Sequence, residues 1–168
     1  MGSFTITNNV ALRQLYTGNT GLLGSDARKT SSSSKLASAD AQALRKGLSI
    51  LSRIDKDDVS SSQESSFYDK VRAFSDAYNN AIQSGSSSQN ASISKLAKKM
   101  KSLSAENSSK LSACGISMDA NGYMKVSDTK VKEITGKTYD EVFGKGSDYS
   151  KKLSSLARQM AGHVDTTA

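Results

Sequence analysis

The chain has 168 residues, a mass of 17.8 kDa and a net charge of +7, which suits one domain with a modest core. Apolar residues make up 36% of the sequence. No segment approaches the roughly 18 apolar residues of a transmembrane helix, so we expect no membrane insertion. The one cysteine and the one histidine exclude a disulfide framework and any site that needs two of either residue. Because no other set of catalytic or metal-binding residues converges in the sequence, we expect neither an enzyme nor a cofactor.

The first 37 residues predict a flexible N-terminal arm. They are polar, and residues 17–34 contain three glycines and four consecutive serines. Such a segment buries too little apolar surface to offset the entropy that it loses on ordering. It also lacks the basic and apolar regions of a Sec signal peptide. We therefore divide the chain into a flexible arm at 1–37 and a single helical domain at 38–168.

Three amphipathic helices are predicted over residues 38–55, 63–84 and 91–113. Their apolar residues recur every three or four positions and therefore share one face of each helix. In chain order these faces consist of Leu44, Leu48, Leu51 and Ile54; of Phe67, Val71, Phe74, Tyr78 and Ile82; and of Ile93, Leu96, Met100 and Leu103. The loop between the second and third helices is short, which predicts an antiparallel helical hairpin.

Two local signals predict the ends of the second helix. Ser61 and Glu64 have the spacing of a capping box at its start. Gly85 follows the last apolar residue, where a C-terminal glycine commonly ends a helix. We therefore expect the second helix to end before Gly85. In the third helix, Asn107 falls on the apolar face and interrupts it.

The periodicity changes at residues 115–127, where a small β-hairpin is predicted. The dipeptide Asn121-Gly122 lies between two short apolar alternations and favours a type I′ turn. Short helices follow, one of them marked by the capping-box spacing of Thr138 and Glu141. The apolar face of the last helix consists of Tyr149, Leu153, Leu156, Met160 and Val164. The predicted fold is mainly α, an antiparallel helical hairpin or bundle with a small β-hairpin and a C-terminal helix.

The second half of the chain also carries an ordered series of short motifs. In order they are Phe74-x-x-x-Tyr78-Asn79, Gly115-Ile116, Asn121-Gly122, Met124-x-Val126, Asp128 and Val142-Phe143-Gly144. This series resembles the C-terminal region of the flagellar filament-capping protein (hook-associated protein 2) family, over residues 65–164. The β-rich head domains of that family have no counterpart in the residues that precede the match.

The resemblance implies a non-enzymatic structural or assembly protein, a cap-like axial component that acts through amphipathic helix packing. The expected partners are proteins, either flagellar axial proteins or further copies of the chain. The implied location is the bacterial flagellum, or outside the cell after export without a cleaved signal peptide. The sequence leaves open an alternative, a cytoplasmic helical binding module that regulates or chaperones a secreted partner.

One set of residues is the candidate for a core or an interface. Its members are Phe67, Val71, Phe74, Tyr78, Asn79, Ile82, Leu153, Leu156 and Met160. The apolar members either close a core within one chain or pack against a partner chain. The resemblance singles out Asn79, which is either an exposed helix residue or the donor of a hydrogen bond that fixes the helical hairpin to the β-hairpin.

The densest basic cluster lies in the third predicted helix. It consists of Lys95, Lys98, Lys99 and Lys101. Such cations can contact phosphates, but the cluster holds no arginine, and no aromatic residue is interleaved with it for base stacking. We therefore expect a solvated helix face and no nucleic-acid partner.

Overall fold

The computed structural model describes residues 10–163, and within them the protein is mainly helical. The helices are α1 (Val10–Leu15), α2 (Ser25–Thr30), α3 (Ser33–Leu51), α4 (Glu64–Ser86), α5 (Ala91–Glu106), α6 (Ser108–Ala113), α7 (Asp128–Lys132), α8 (Gly136–Phe143) and α9 (Asp148–Gly162). Short 3₁₀ turns lie at Thr20–Leu23 and Ser61–Gln63. The strands β1 (Ile116–Met118) and β2 (Met124–Val126) pair antiparallel. The prediction of a mainly α fold with a small β-hairpin and a C-terminal helix is confirmed.

The four longest helices form a bundle in which each packs against two others, in the cyclic order α3, α4, α5, α9. Contacts at both ends of α9 fix its direction. The Ser38 hydroxyl, near the start of α3, donates to the carbonyl oxygen of Ala161 at the end of α9, 2.9 Å away. The hydroxyls of Ser104, near the end of α5, and Tyr149, at the start of α9, lie 3.0 Å apart. Helix α9 therefore runs antiparallel to both α3 and α5.

Residues 10–37 differ from the predicted flexible arm, because they fold onto the bundle. Their buried large side chains are Leu12, Leu15, Tyr16, Leu22 and Leu23. Helix α1 packs against both α3 and α4, and α3 itself begins at Ser33, five residues before its predicted start at 38. The reason is that a few well-spaced apolar side chains bury substantial surface once a groove between two helices receives them. Residues 1–9 of the predicted arm and residues 164–168 of the predicted domain lie outside the described residues.

Gly85 does not end α4, so the predicted helix end is wrong. The helix continues through Gly85 to Ser86. A Cβ atom at Gly85 would lie 2.9 Å from the Ala97 Cβ and 2.9 Å from the Met160 Cε. Glycine therefore lets α5 and α9 approach the end of α4 closely, which is a tertiary role that the local pattern does not reveal.

Two predicted helix starts are displaced by a few residues, and the third predicted helix divides. The capping box before α4 begins at Ser60, one residue before the predicted Ser61. Helix α8 is capped by Thr135, whose hydroxyl oxygen accepts from the Thr138 N–H at 3.3 Å. The predicted third helix is α5 and α6, which meet at Asn107. Because serine and threonine are frequent here, several neighbouring residues can cap, and the direction of the incoming chain decides among them.

Candidate functional site

The apolar residues of the candidate core or interface pack within one chain. Those at most 3% exposed are Phe67, Val71, Phe74, Tyr78, Ile82, Leu153 and Met160. Leu156 is half-buried at the edge of the same core. Helices α4 and α9 each pack against both α3 and α5, so their apolar stripes lie in the interior of the bundle. In this structure they form a core and present no continuous apolar face outward.

An aromatic cluster fixes α8 against the bundle. The Phe74 and Phe143 rings meet edge to face, with their centroids 5.2 Å apart. Tyr139 lies 5.5 Å from the Phe67 ring, and its hydroxyl donates to the Leu51 carbonyl oxygen at 2.7 Å. Edge-to-face pairs of this kind add about 0.5–1.5 kcal/mol beyond the buried area. Helix α8 is therefore anchored to the end of α3 through Leu51 and to the start of α4 through Phe67.

Asn79 joins α4 to the β-hairpin through two hydrogen bonds to one residue. Its side-chain N–H donates to the Met124 carbonyl oxygen at 2.9 Å, and its side-chain oxygen accepts from the Met124 N–H at 2.7 Å. Asn79 is 6% exposed and Met124 3% exposed, so water does not replace either bond. We call this pair of bonds the Asn79 clamp. Of the two roles weighed for Asn79, the hydrogen bond to the β-hairpin is the one observed.

A polar group also lies inside the bundle, between α5 and α9. The hydroxyls of Ser104 and Tyr149 are hydrogen bonded, and both residues are buried. The Tyr78 hydroxyl is buried too and has no hydrogen-bond partner within residues 10–163. Burial raises the pKa of Tyr78 to about 12 and raises that of Tyr149 as well. These tyrosines therefore stay uncharged at neutral pH.

A buried polar cluster ties the N-terminal segment to α3 and α4. Arg28 donates to both carboxylate oxygens of Asp40, at 3.0 and 2.6 Å. The Tyr16 hydroxyl donates to Asp40 at 2.6 Å and accepts from the side-chain amide of Asn80 at 3.0 Å. Burial and then the Asp40 charge raise the pKa of Tyr16. Burial acts to lower the pKa of Arg28, but the hydrogen bond to Asp40, the Asp40 charge and Tyr16 together outweigh burial and raise that pKa.

The position of Asp40 in the sequence is itself a signal for this cluster. Asp40 precedes Leu44 and Leu48 at helical spacing, which places a carboxylate on the apolar face of α3. A buried carboxylate requires a partner, because an unpaired one is costly. Asp40 is 0% exposed in the structure. The partner had to come from elsewhere in the chain, and it is Arg28 in the segment that was predicted to be flexible.

The groups with intrinsic chemical reactivity are not assembled into a site in the part of the chain described. Cys114 is buried, its thiol donates to the Thr138 carbonyl oxygen at 3.4 Å, and burial raises its pKa to about 12. His163 is exposed after the end of α9. Within residues 10–163, no three His, Cys, Asp or Glu side chains are placed to hold a metal ion. None of the helices in that range combines the length and hydropathy needed to cross a bilayer.

The basic cluster lies on α5. Lys95, Lys98 and Lys99 are exposed on its outer face. Lys101 is half-buried, and its Nζ lies 5.6 Å from the centroid of the Tyr123 ring. A cation over an aromatic face contributes about 0.5–1 kcal/mol at an exposed position. Three of the four lysines therefore face solvent, and the fourth packs against the β-hairpin.

The chain was compared with known proteins at three levels. Comparison with protein-family models, with curated proteins and with solved structures gave no match. The likeness to the flagellar cap family consequently remains a prediction from the ordered motifs.

Proposed function

We propose that this chain is a non-enzymatic structural or assembly protein, a cap-like axial component of the flagellum. The observation that carries the proposal is the Asn79 clamp. It joins the Tyr78-Asn79 motif in α4 to Met124 in the β-hairpin, 45 residues away. Two motifs of the series that resembles the cap family thus belong to one packed unit.

In this role the helices supply a rigid body, and the contacts with other proteins come from its outer surface. The Phe67–Ile82 stripe is buried within the chain, so it stabilises the domain and does not bind a partner in this form. The proposed partners are flagellar axial proteins or further copies of the chain. The proposed route is export without a cleaved signal peptide.

Export tests the proposal directly. The chain would be tagged at its C-terminus and expressed in its own bacterium and in a strain that lacks the flagellar export gate. Culture supernatant and cell lysate would then be compared, with an abundant cytoplasmic enzyme as the control for lysis. We expect the protein in the supernatant only when the gate is present. Retention in the lysate of both strains would contradict an axial role.

A second candidate function is a cytoplasmic helical binding module, a regulator or chaperone of a secreted partner. One observation favours it: the apolar stripes are buried against each other within a single chain, so no partner chain is needed to bury them. This candidate predicts retention in the lysate of both strains. It also predicts that light scattering of the purified protein gives the same small mass at all concentrations, whereas an axial protein that self-associates gives a mass that rises.

A further inference from the structure

A shallow groove of about 710 Å³ lies where α1, α3 and α9 meet. Among the described residues, its charged lining consists of Arg45 and Lys46 from α3 and Arg158 from α9, and includes no carboxylate. The rest of the lining consists of Leu15, Thr17, Gln42, Ser49, Ala161 and Gly162. The groove is thus cationic on its walls, carries hydroxyl and amide groups between the cations, and has apolar contacts at Leu15 and Ala161.

Within residues 10–163, no carboxylate forms an ion pair with either arginine. The ion pairs Arg28–Asp40 and Lys132–Asp128 include no residue of the groove. Lys46 donates to the Thr17 hydroxyl, whereas Arg45 and Arg158 form no side-chain hydrogen bond within residues 10–163. All three cations are exposed. Their donors are therefore available to a ligand from solution.

We propose that this groove binds a carboxylate-rich segment of a protein partner. The arginine fork matches a carboxylate with two parallel hydrogen bonds. A glutamate side chain also has an aliphatic stem, which suits a groove that combines cations with Leu15 and Ala161. Negative charges spaced along one extended segment can reach Arg45 and Lys46 on α3 and Arg158 on α9.

The lining favours an acidic polypeptide over the other common polyanions. None of the aromatic side chains in residues 10–163 lines the groove, so these residues offer bases of a single-stranded nucleic acid no surface on which to stack. Binding to an anionic membrane generally adds apolar insertion to charge attraction. Within residues 10–163 the exposed large hydrophobic residue is Val10, and it does not line the groove.

The N-terminal segment is part of the site. Leu15 ends α1 and Thr17 follows it, and both residues line the groove. Because α1 is held on α3 and α4 by the buried cluster of Tyr16 and Asp40, the groove exists only while this segment is packed. The inference stands on this geometry and does not depend on the flagellar assignment.

The proposal is tested by measuring the binding of a labelled oligoglutamate peptide to the full chain at low salt. Oligoglutamine of equal length and oligothymidylate of equal charge serve as competitors. The variant R45Q/R158Q should bind oligoglutamate about tenfold more weakly or worse, since hydrogen bonds to charged groups are the strong ones. The matched control K95Q/K98Q removes the same charge from the outer face of α5 and should bind within about twofold of the unaltered protein.

A second variant keeps every cation. Ser49→Glu places a carboxylate in the groove at an exposed position and should also weaken oligoglutamate binding about tenfold. Thermal unfolding of each variant checks that the fold is retained. Equal losses in R45Q/R158Q and K95Q/K98Q would mean attraction by diffuse charge and would overturn the site. Absence of binding by the unaltered protein, or tighter binding of oligothymidylate, would overturn it as well.

Discussion

Replacing Asn79 with alanine removes both bonds of the Asn79 clamp and leaves the N–H and the carbonyl of Met124 without partners. These groups are buried, since Met124 is 3% exposed. Each buried backbone group left unpaired costs about 1–3 kcal/mol, so we expect the free energy of unfolding to fall by about 2–6 kcal/mol. A domain of this size has about 5–15 kcal/mol in total, so the loss is a large fraction of its stability.

The neighbouring Asn80→Ala is the matched control. Asn80 lies on the same helix but is half-buried, and its side chain donates one bond, to the Tyr16 hydroxyl at 3.0 Å. Its loss should cost about 1 kcal/mol. Urea unfolding followed by circular dichroism measures both variants, and amide hydrogen exchange reports the Met124 N–H directly. If Asn79→Ala costs no more than Asn80→Ala, or if exchange at Met124 is unchanged, the clamp does not hold the β-hairpin.

Asn79→Asp separates the two bonds of the clamp. The carboxylate still accepts from the Met124 N–H, but it cannot donate to the Met124 carbonyl and places a second acceptor against it. We therefore expect this variant to be no more stable than Asn79→Ala at neutral pH. Near-native stability of the aspartate variant would mean that only the bond from the Met124 N–H matters.

Three further predictions concern packing and pH. Phe74→Ala should lower the free energy of unfolding by about 3–5 kcal/mol, because Phe74 is fully buried against Phe143, and an unchanged melting temperature would refute its place in the core. Gly85→Ala should cost about 1–3 kcal/mol through its contacts with α5 and α9, whereas Gly162→Ala, with open space around it, should be near neutral. Burial raises the pKa of several tyrosines above the ordinary value of 10.0, so their stabilising contribution is complete below pH 10 and is lost as the pH rises further. These are Tyr16, Tyr78, Tyr139 and Tyr149. Urea unfolding at pH 7, 9 and 11 should give similar stabilities at the first two values and a lower one at the third.

The features predictable from the sequence were the local ones. Helical spacing predicts α4 and α9, and the Asn121-Gly122 dipeptide predicts the position of the hairpin, because each signal lies within a few residues of the structure that it specifies. The predicted type I′ turn is wrong, since Gly122 has a positive φ of 80° but Asn121 does not. Gly85 shows the limit of such signals. The same glycine can end a helix or admit a neighbouring helix, and the choice depends on Ala97 and Met160, which are distant in sequence. A local pattern contains no information about that contact.

The candidate site was predictable only in part, for the same reason. The stripe residues follow from periodicity, but the partner of Asn79 lies 45 residues away and the groove cations come from two helices more than 100 residues apart. The N-terminal segment was predicted to be flexible because its composition is polar. Its order depends on the hydrogen bonds of Tyr16 and Arg28 to Asp40. Amino-acid composition does not show which residues come into contact.

This polar cluster links the order of the N-terminal segment to the state of α3. Asp40 is fully buried, and an ion pair in such a place is favourable only while every partner is present. If α1 and α2 detach, Asp40 loses Arg28 and Tyr16 together and remains as a carboxylate on an apolar helix face. Detachment therefore breaks these polar contacts in addition to exposing the apolar surface of the two short helices, and it would also remove Leu15 from the lining of the cationic groove. The segment thus serves the stability of the bundle and the shape of its proposed binding surface through the same contacts.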